Sequence, residues 1–146
     1  MQYPTRCHDA VANIIAARLL RDVTGNIHRP TAWRRLARDM GIAVQEYYQP
    51  GRARGQCMPG LLDETGIVSG AIGVNTAYSK SDQAAVWIHE LAHLYLFTWS
   101  PPFLHRSPCY EGDPDSDSHE IARRVEYIVL VRQDEASDHH PWGDRK

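Results

Sequence analysis

The stretch that decides the fold runs from residue 83 to residue 98 and reads QAAVWIHELAHLYLFT. Most of its side chains are aliphatic or aromatic, which predicts a helix that is buried over most of its surface. Ser81 and Asp82 precede it and suit an N-cap, while Pro101 and Pro102 require the helix to end before them. The rest of the domain is therefore expected to pack around this helix.

The same stretch contains the motif His-Glu-x-x-His at positions 89 to 93. Helical residues i and i+4 lie on one face, so the imidazoles of His89 and His93 can bind a single metal ion. Imidazole suits Zn²⁺, and the ion lowers the pKa of a bound water, from which Glu90 can take a proton as general base. The alternative is that the histidines are ordinary buried or surface residues. We favour the metal, because unpaired polar groups in an apolar helix are costly.

A third protein ligand is expected, since catalytic zinc usually has three and leaves the fourth position to water. Trp99 stands where a metzincin has its last histidine, which excludes that class. On a predicted helix over 118–132, Glu120 lies on the flank of the apolar face and His119 on the polar side. We therefore predict Glu120 as the third ligand and keep His119 as the alternative. The remaining candidates are Glu126, Glu111 and His105.

A peptidase also needs a hydrogen-bond donor for the oxyanion that forms at the attacked carbonyl. By residue type the candidates are Tyr78, His105 and Tyr110. Each of these residue types is more often found at the surface or in ordinary packing, so the sequence does not select among them.

The remaining segments predict a small α+β domain of zincin-like type. We expect an antiparallel sheet of about three strands packed on the HExxH helix, with N-terminal helices and a C-terminal helix. Helices are predicted over 9–23 and 31–40, and strands over 42–48, 56–62 and 69–74. Residues 1–133 are expected to form one domain, and 134–146, which are polar and lack periodicity, a C-terminal tail.

The composition limits the classes of function. The 146 residues include 16 Lys and Arg and 18 Asp and Glu, so the net charge of −2 makes direct nucleic-acid binding an unlikely function. No apolar run is long enough to predict a membrane span. The three cysteines are far apart and form no CxxC motif, so we expect no disulfide framework and a cytoplasmic location.

The segment that leads into the motif resembles the ImmA/IrrE family of bacterial metallo-endopeptidases. In that family a strand ending in Val-Asn or Ile-Asn is followed by a short polar turn and a helix bearing HELxH. Here Val74 and Asn75 end the strand AIGVN, and the helix carries HELAH. The Gly-Ile pair at Gly41 and Ile42, after a short helix, also fits the family, so the resemblance covers about residues 8–131.

The resemblance implies a gluzincin-like zinc site with His89 and His93 as ligands, Glu90 as general base and a glutamate from a later helix. Glu120 is the matching position. Family members usually have paired acidic residues before an alanine of that helix, whereas this chain has His119 beside Glu120. This departure keeps His119 in consideration.

The resemblance also implies a protein substrate, such as a helix-turn-helix transcriptional repressor, in phage, mobile-element or stress regulation. We accordingly predict a zinc-dependent endopeptidase. The alternative function is a non-catalytic, zinc-containing interaction module, for example a toxin–antitoxin or phage regulatory partner.

Overall fold

The computed structural model describes residues 5–62, 68–99 and 117–132 of the chain. These ranges contain four α-helices and three strands, and the fourth helix continues without interruption into a short π-helix. The elements are α1 (Thr5–Asp22), α2 (Pro30–Asp39), β1 (Ala43–Tyr47), β2 (Gly55–Leu62), β3 (Val68–Asn75), α3 (Lys80–Trp99), α4 (Asp117–Glu126) and the π-helix (Tyr127–Arg132). The predicted α+β class and the order of the elements are confirmed. The predicted tail, 134–146, lies outside the described residues.

The three strands form a mixed sheet in the order β1-β3-β2. β2 pairs with β3 in the antiparallel sense, whereas β1 pairs with β3 in parallel, so the expectation of a wholly antiparallel sheet is wrong for β1. The reason is topological. After β1 the chain passes to the far edge of the sheet as β2, and the return strand β3 fills the central position with the same direction as β1.

The crossover loop between β1 and β2 is hydrogen-bonded to the side chain of Asn75, which is fully buried at the end of β3. Its amide nitrogen donates to the carbonyls of Gln49 and Ala53 at 2.7 and 3.1 Å. Its amide oxygen accepts from the backbone N–H groups of Gln49 and Ala77 at 3.1 and 3.0 Å. The Asn of the Val-Asn pair therefore joins the crossover loop to the turn that leads into α3.

Helix α3 is the centre of the core, as its composition predicted. It contacts α2, α4, β2 and β3, and its large apolar side chains are fully buried. These are Trp87, Ile88, Leu91 and Leu96. Helix α4 contacts both α1 and α3, so two different sides of α4 face other helices. This double contact decides which side chains of α4 reach α3.

One expectation about the cysteines is wrong. Cys57, on β2, is buried and disulfide-bonded, and its partner cysteine lies outside the described side chains. Wide spacing along the chain does not prevent two cysteines from meeting in the fold. The prediction of a cytoplasmic location therefore loses the support that it drew from the cysteines. Within the described ranges, no helix combines the length and the apolar character that crossing a membrane requires.

Candidate metal centre

Helices α3 and α4 bring three imidazoles together. The histidine cluster consists of His89 and His93 from α3 and His119 from α4, and one nitrogen of each lies within 4.8 Å of the other two. The centre of the His93 ring lies 4.8 Å from the ring centres of both His89 and His119. The ring centres of His89 and His119 are 5.6 Å apart. Among the described residues, this is the one group of three His, Cys, Asp or Glu side chains close enough to bind a metal ion.

The two α3 histidines point the same nitrogen into the cluster. Their Nε2 atoms are 3.1 Å apart. Two nitrogens bound to one tetrahedral zinc ion, each at about 2.0–2.1 Å, are separated by about 3.3 Å. The geometry therefore fits a shared ion with little rearrangement, and the predicted pairing of these two side chains is confirmed.

The other nitrogen of each ring is held by α4. The Nδ1 atom of His89 lies 2.5 Å from Oε2 of Glu126, and Nδ1 of His93 lies 2.7 Å from Oγ of Ser118. Zinc-binding histidines commonly donate their second N–H to a carboxylate or another oxygen, which orients the ring. Both imidazoles thus have the hydrogen-bonding pattern of metal ligands.

The electrostatic environments of the two rings differ. Burial lowers the pKa of His93 to about 2, with the neighbouring His89 and His119 acting in the same direction. Burial also lowers the pKa of His89, but the hydrogen bond to Glu126 and the charges of Glu90 and Glu126 outweigh it, so the net shift is upward. His93 is therefore neutral at physiological pH, the form in which an imidazole binds metal.

Glu90 lies on α3 between the two ligands and is buried, with 8 % of its surface exposed. Its negative charge helps to raise the pKa of His89, which places the carboxylate in the electrostatic environment of the cluster. A buried carboxylate therefore lies close enough to the cluster to act on the charge of His89.

The structure brings His119, and not the predicted Glu120, into the cluster with His89 and His93. The two carboxylate oxygens of Glu120 bind Arg123 and Arg124 at 3.0 and 3.1 Å. Arg124 also forms an ion pair with Asp9 of α1. Glu120 therefore belongs to a polar network on the α1 side of α4, where its interaction with the two arginines lowers its pKa.

The reason lies in the double contact of α4. At about 100° per residue, His119 and Glu126 are seven positions apart and project in nearly the same direction, toward α3. Glu120 and Arg124 project toward the α1 side. The amphipathic pattern placed Glu120 on the flank of the apolar face and His119 on the polar side, but it could not show that α3 packs against the side that carries His119.

The candidate oxyanion donor Tyr78 is engaged elsewhere. Its hydroxyl donates to the carbonyl of Arg52 at 2.5 Å, and its ring packs under the guanidinium of Arg54. Tyr78 also precedes the start of α3 at Lys80, and His89 lies roughly 14 Å further along the helix axis. Tyr78 is therefore excluded as an oxyanion donor. The other candidates, His105 and Tyr110, lie outside the described residues, as does the possible ligand Glu111.

Two side chains of the centre make contacts that the sequence did not predict. Ser118 contacts His93, and Glu126, which the sequence offered only as a candidate ligand, contacts His89. A signal for Glu126 did exist, since it lies two helical turns after His119 and shares its face. No comparable pattern marks Ser118, because a single serine at the start of a helix is ordinarily read as part of its cap.

Comparisons of the chain with models of known families, with characterised proteins and with solved structures found no match. The resemblance to the ImmA/IrrE family therefore rests on the quoted motifs alone. The function has to be argued from the geometry of the histidine cluster.

Proposed function

We propose that the histidine cluster binds a catalytic Zn²⁺ ion and that the chain is a zinc-dependent endopeptidase with Glu90 as general base. The observation that carries the proposal is the convergence of three imidazoles from two helices beside the buried Glu90. Three histidines are a known ligand set of catalytic zinc, and they leave one coordination position for water or substrate.

When bound, the ion would polarise the substrate carbonyl and make a water molecule acidic near neutral pH. The chain's own residues perform the remaining tasks. His89, His93 and His119 hold the ion, while Glu90 accepts the proton of the attacking water and returns it to the leaving amine. Three neutral ligands leave the full charge of the ion uncompensated by its ligands. This favours stabilisation of the negative charge that develops on the carbonyl oxygen.

Structural zinc sites almost always have four protein ligands, and the described residues supply three. The alternative function is a non-catalytic interaction module with a structural zinc ion. It predicts that Glu90→Gln leaves the biological function intact, while His89→Ala disrupts the fold.

The substrate class is proposed from the resemblance stated above. A peptide bond in a protein, such as a helix-turn-helix repressor, is the bond expected to be cut. We expect few cuts in few proteins rather than general digestion.

The proposal is tested by incubating the zinc-loaded chain with a denatured bacterial proteome and identifying new peptide termini by mass spectrometry. Glu90→Gln is expected to bind zinc with wild-type stoichiometry and to cleave at least about 100-fold more slowly, since a general base contributes about 10²–10⁴-fold. Glu120→Gln is the matched control, because that carboxylate lies outside the cluster. Equal cleavage by Glu90→Gln and the wild type would refute the assigned base.

A further inference from the structure

We propose that Glu126 and Ser118 are positioning residues that accept the Nδ1 protons of His89 and His93, so that both rings present an unprotonated Nε2 to the metal ion. This inference rests on the proposed zinc site. It assigns a role to two side chains of α4 that do not bind the ion themselves.

Glu126 allows only one arrangement of His89. An ionised carboxylate accepts hydrogen bonds and cannot donate them, so the 2.5 Å contact requires the proton of a neutral His89 to sit on Nδ1. The lone pair of Nε2 then points into the histidine cluster. Glu126 therefore favours the tautomer of neutral His89 that binds a metal ion through Nε2.

Ser118 has the corresponding place at His93. Its hydroxyl oxygen lies 2.7 Å from Nδ1 of His93, while Nε2 of His93 lies inside the cluster, 3.1 Å from Nε2 of His89. When Nε2 binds the ion, a neutral His93 carries its proton on Nδ1, and the Ser118 oxygen is placed to accept it.

Burial makes an acceptor for Nδ1–H of His93 necessary. His93 and Ser118 are 1 % and 2 % exposed, so bulk water is excluded from the contact between them. Without the hydroxyl, the bound state would leave Nδ1–H buried and without an acceptor, and such a group costs a large part of the binding free energy. Outer partners of zinc-binding histidines typically change metal affinity by about 10–100-fold.

The test compares Ser118→Thr with Ser118→Val, two side chains of nearly equal shape that differ in the hydroxyl. Zinc dissociation constants are measured on the full chain by competition with a chromophoric chelator. We expect Ser118→Thr to stay within about threefold of the wild type and Ser118→Val to bind about 10–100-fold more weakly. Any strain from the added volume affects both variants and cancels in the comparison, and circular dichroism of the metal-free forms checks that both fold.

The role of Glu126 is tested by Glu126→Ala against Glu120→Ala on the same helix. The first is expected to weaken zinc binding about 10–100-fold and the second to leave it unchanged. Cobalt replacing zinc gives visible absorption bands that report ligand geometry, and we expect Glu126→Ala alone to alter them. A purely structural role of Glu126 would leave these bands unchanged in the folded, metal-loaded variant.

Imidazole nitrogen chemical shifts provide the direct readout of the tautomers. In the zinc form, His89 and His93 are both expected to carry a proton on Nδ1 and to bind the ion through Nε2. Binding of zinc through Nδ1 of either ring would overturn the proposal. Equal zinc affinity of Ser118→Thr and Ser118→Val would do the same and leave the proposed function standing. Failure of the wild type to bind zinc would refute the proposed function itself.

Discussion

His89 and Glu126 lie 37 residues apart in the sequence and are joined at 2.5 Å between Nδ1 and Oε2. This contact connects the helix that carries the motif to the helix that completes the cluster. Because α4 supplies His119, Ser118 and Glu126, the packing of α4 against α3 and the formation of the metal centre depend on the same contacts. Binding of an ion and docking of α4 should therefore stabilise each other.

The first prediction concerns metal removal. A chelator should lower the melting temperature and speed hydrogen exchange in α4 more than in α2, which does not contribute to the cluster. Zinc at 100 times its dissociation constant should add about 2.7 kcal/mol to the free energy of unfolding. The measurement is differential scanning calorimetry with and without chelator, followed by exchange mass spectrometry. Equal protection of α4 in both forms would contradict the coupling.

The second prediction separates the two candidates for the third ligand. His119→Ala should lose zinc affinity by at least about tenfold, because one of three ligands is removed. Glu120→Ala should bind zinc like the wild type, since its carboxylate pairs with Arg123 and Arg124. Titration with zinc monitored by isothermal calorimetry distinguishes them. The reverse order of affinities would restore Glu120 as the ligand.

The third prediction concerns Asn75, whose side chain makes four hydrogen bonds to the backbone of three residues. Asn75→Ala should lower the free energy of unfolding by at least about 2 kcal/mol, because each buried backbone group left without a partner costs about 1–3 kcal/mol. Asn13→Ala, on the exposed surface of α1, is the control and should change stability by less than about 0.5 kcal/mol. Urea denaturation measures both. A small effect of Asn75→Ala would show that the crossover loop holds its position by other contacts.

The fourth prediction is the acid sensitivity of the metal-free chain. The pKa of His93 is about 2 in the folded chain against an ordinary value of 6.5, so the unfolded chain binds more protons between these values. The stability contributed by neutral His93 is therefore complete above pH 6.5 and is lost progressively as the pH falls below it. The raised pKa of His89 acts in the opposite sense and offsets part of the loss. Denaturation at pH 7.5 and pH 5 measures the effect, and His93→Gln should reduce the pH dependence. A metal-free wild type with no loss of stability at pH 5 would contradict the prediction.

Much of the fold could be predicted from local pattern. The apolar run around the motif indicated a buried helix, and the proline pair indicated where that helix ends. The spacing of four residues indicated that His89 and His93 lie on the same face of the helix. These predictions succeeded because the geometry of a single helix is set by its own backbone, whatever packs against it.

The predictions that failed depended on contacts between elements. The direction of β1 relative to β3 depends on which position β2 occupies in the sheet, and that position cannot be predicted from the strand sequences. The amphipathic pattern of α4 favoured Glu120 over His119, but the side of α4 that faces α3 is set by packing between the helices, which that pattern does not contain.

The amino-acid sequence by itself therefore determined half of the candidate centre, namely two imidazoles and a carboxylate on one helix. Only the tertiary structure decided the other half: His119 as the third nitrogen and Ser118 and Glu126 as the groups that orient the rings. The physical reason is that a helix defines the angles among its own side chains, while its rotation about its axis is defined by the neighbours against which it packs.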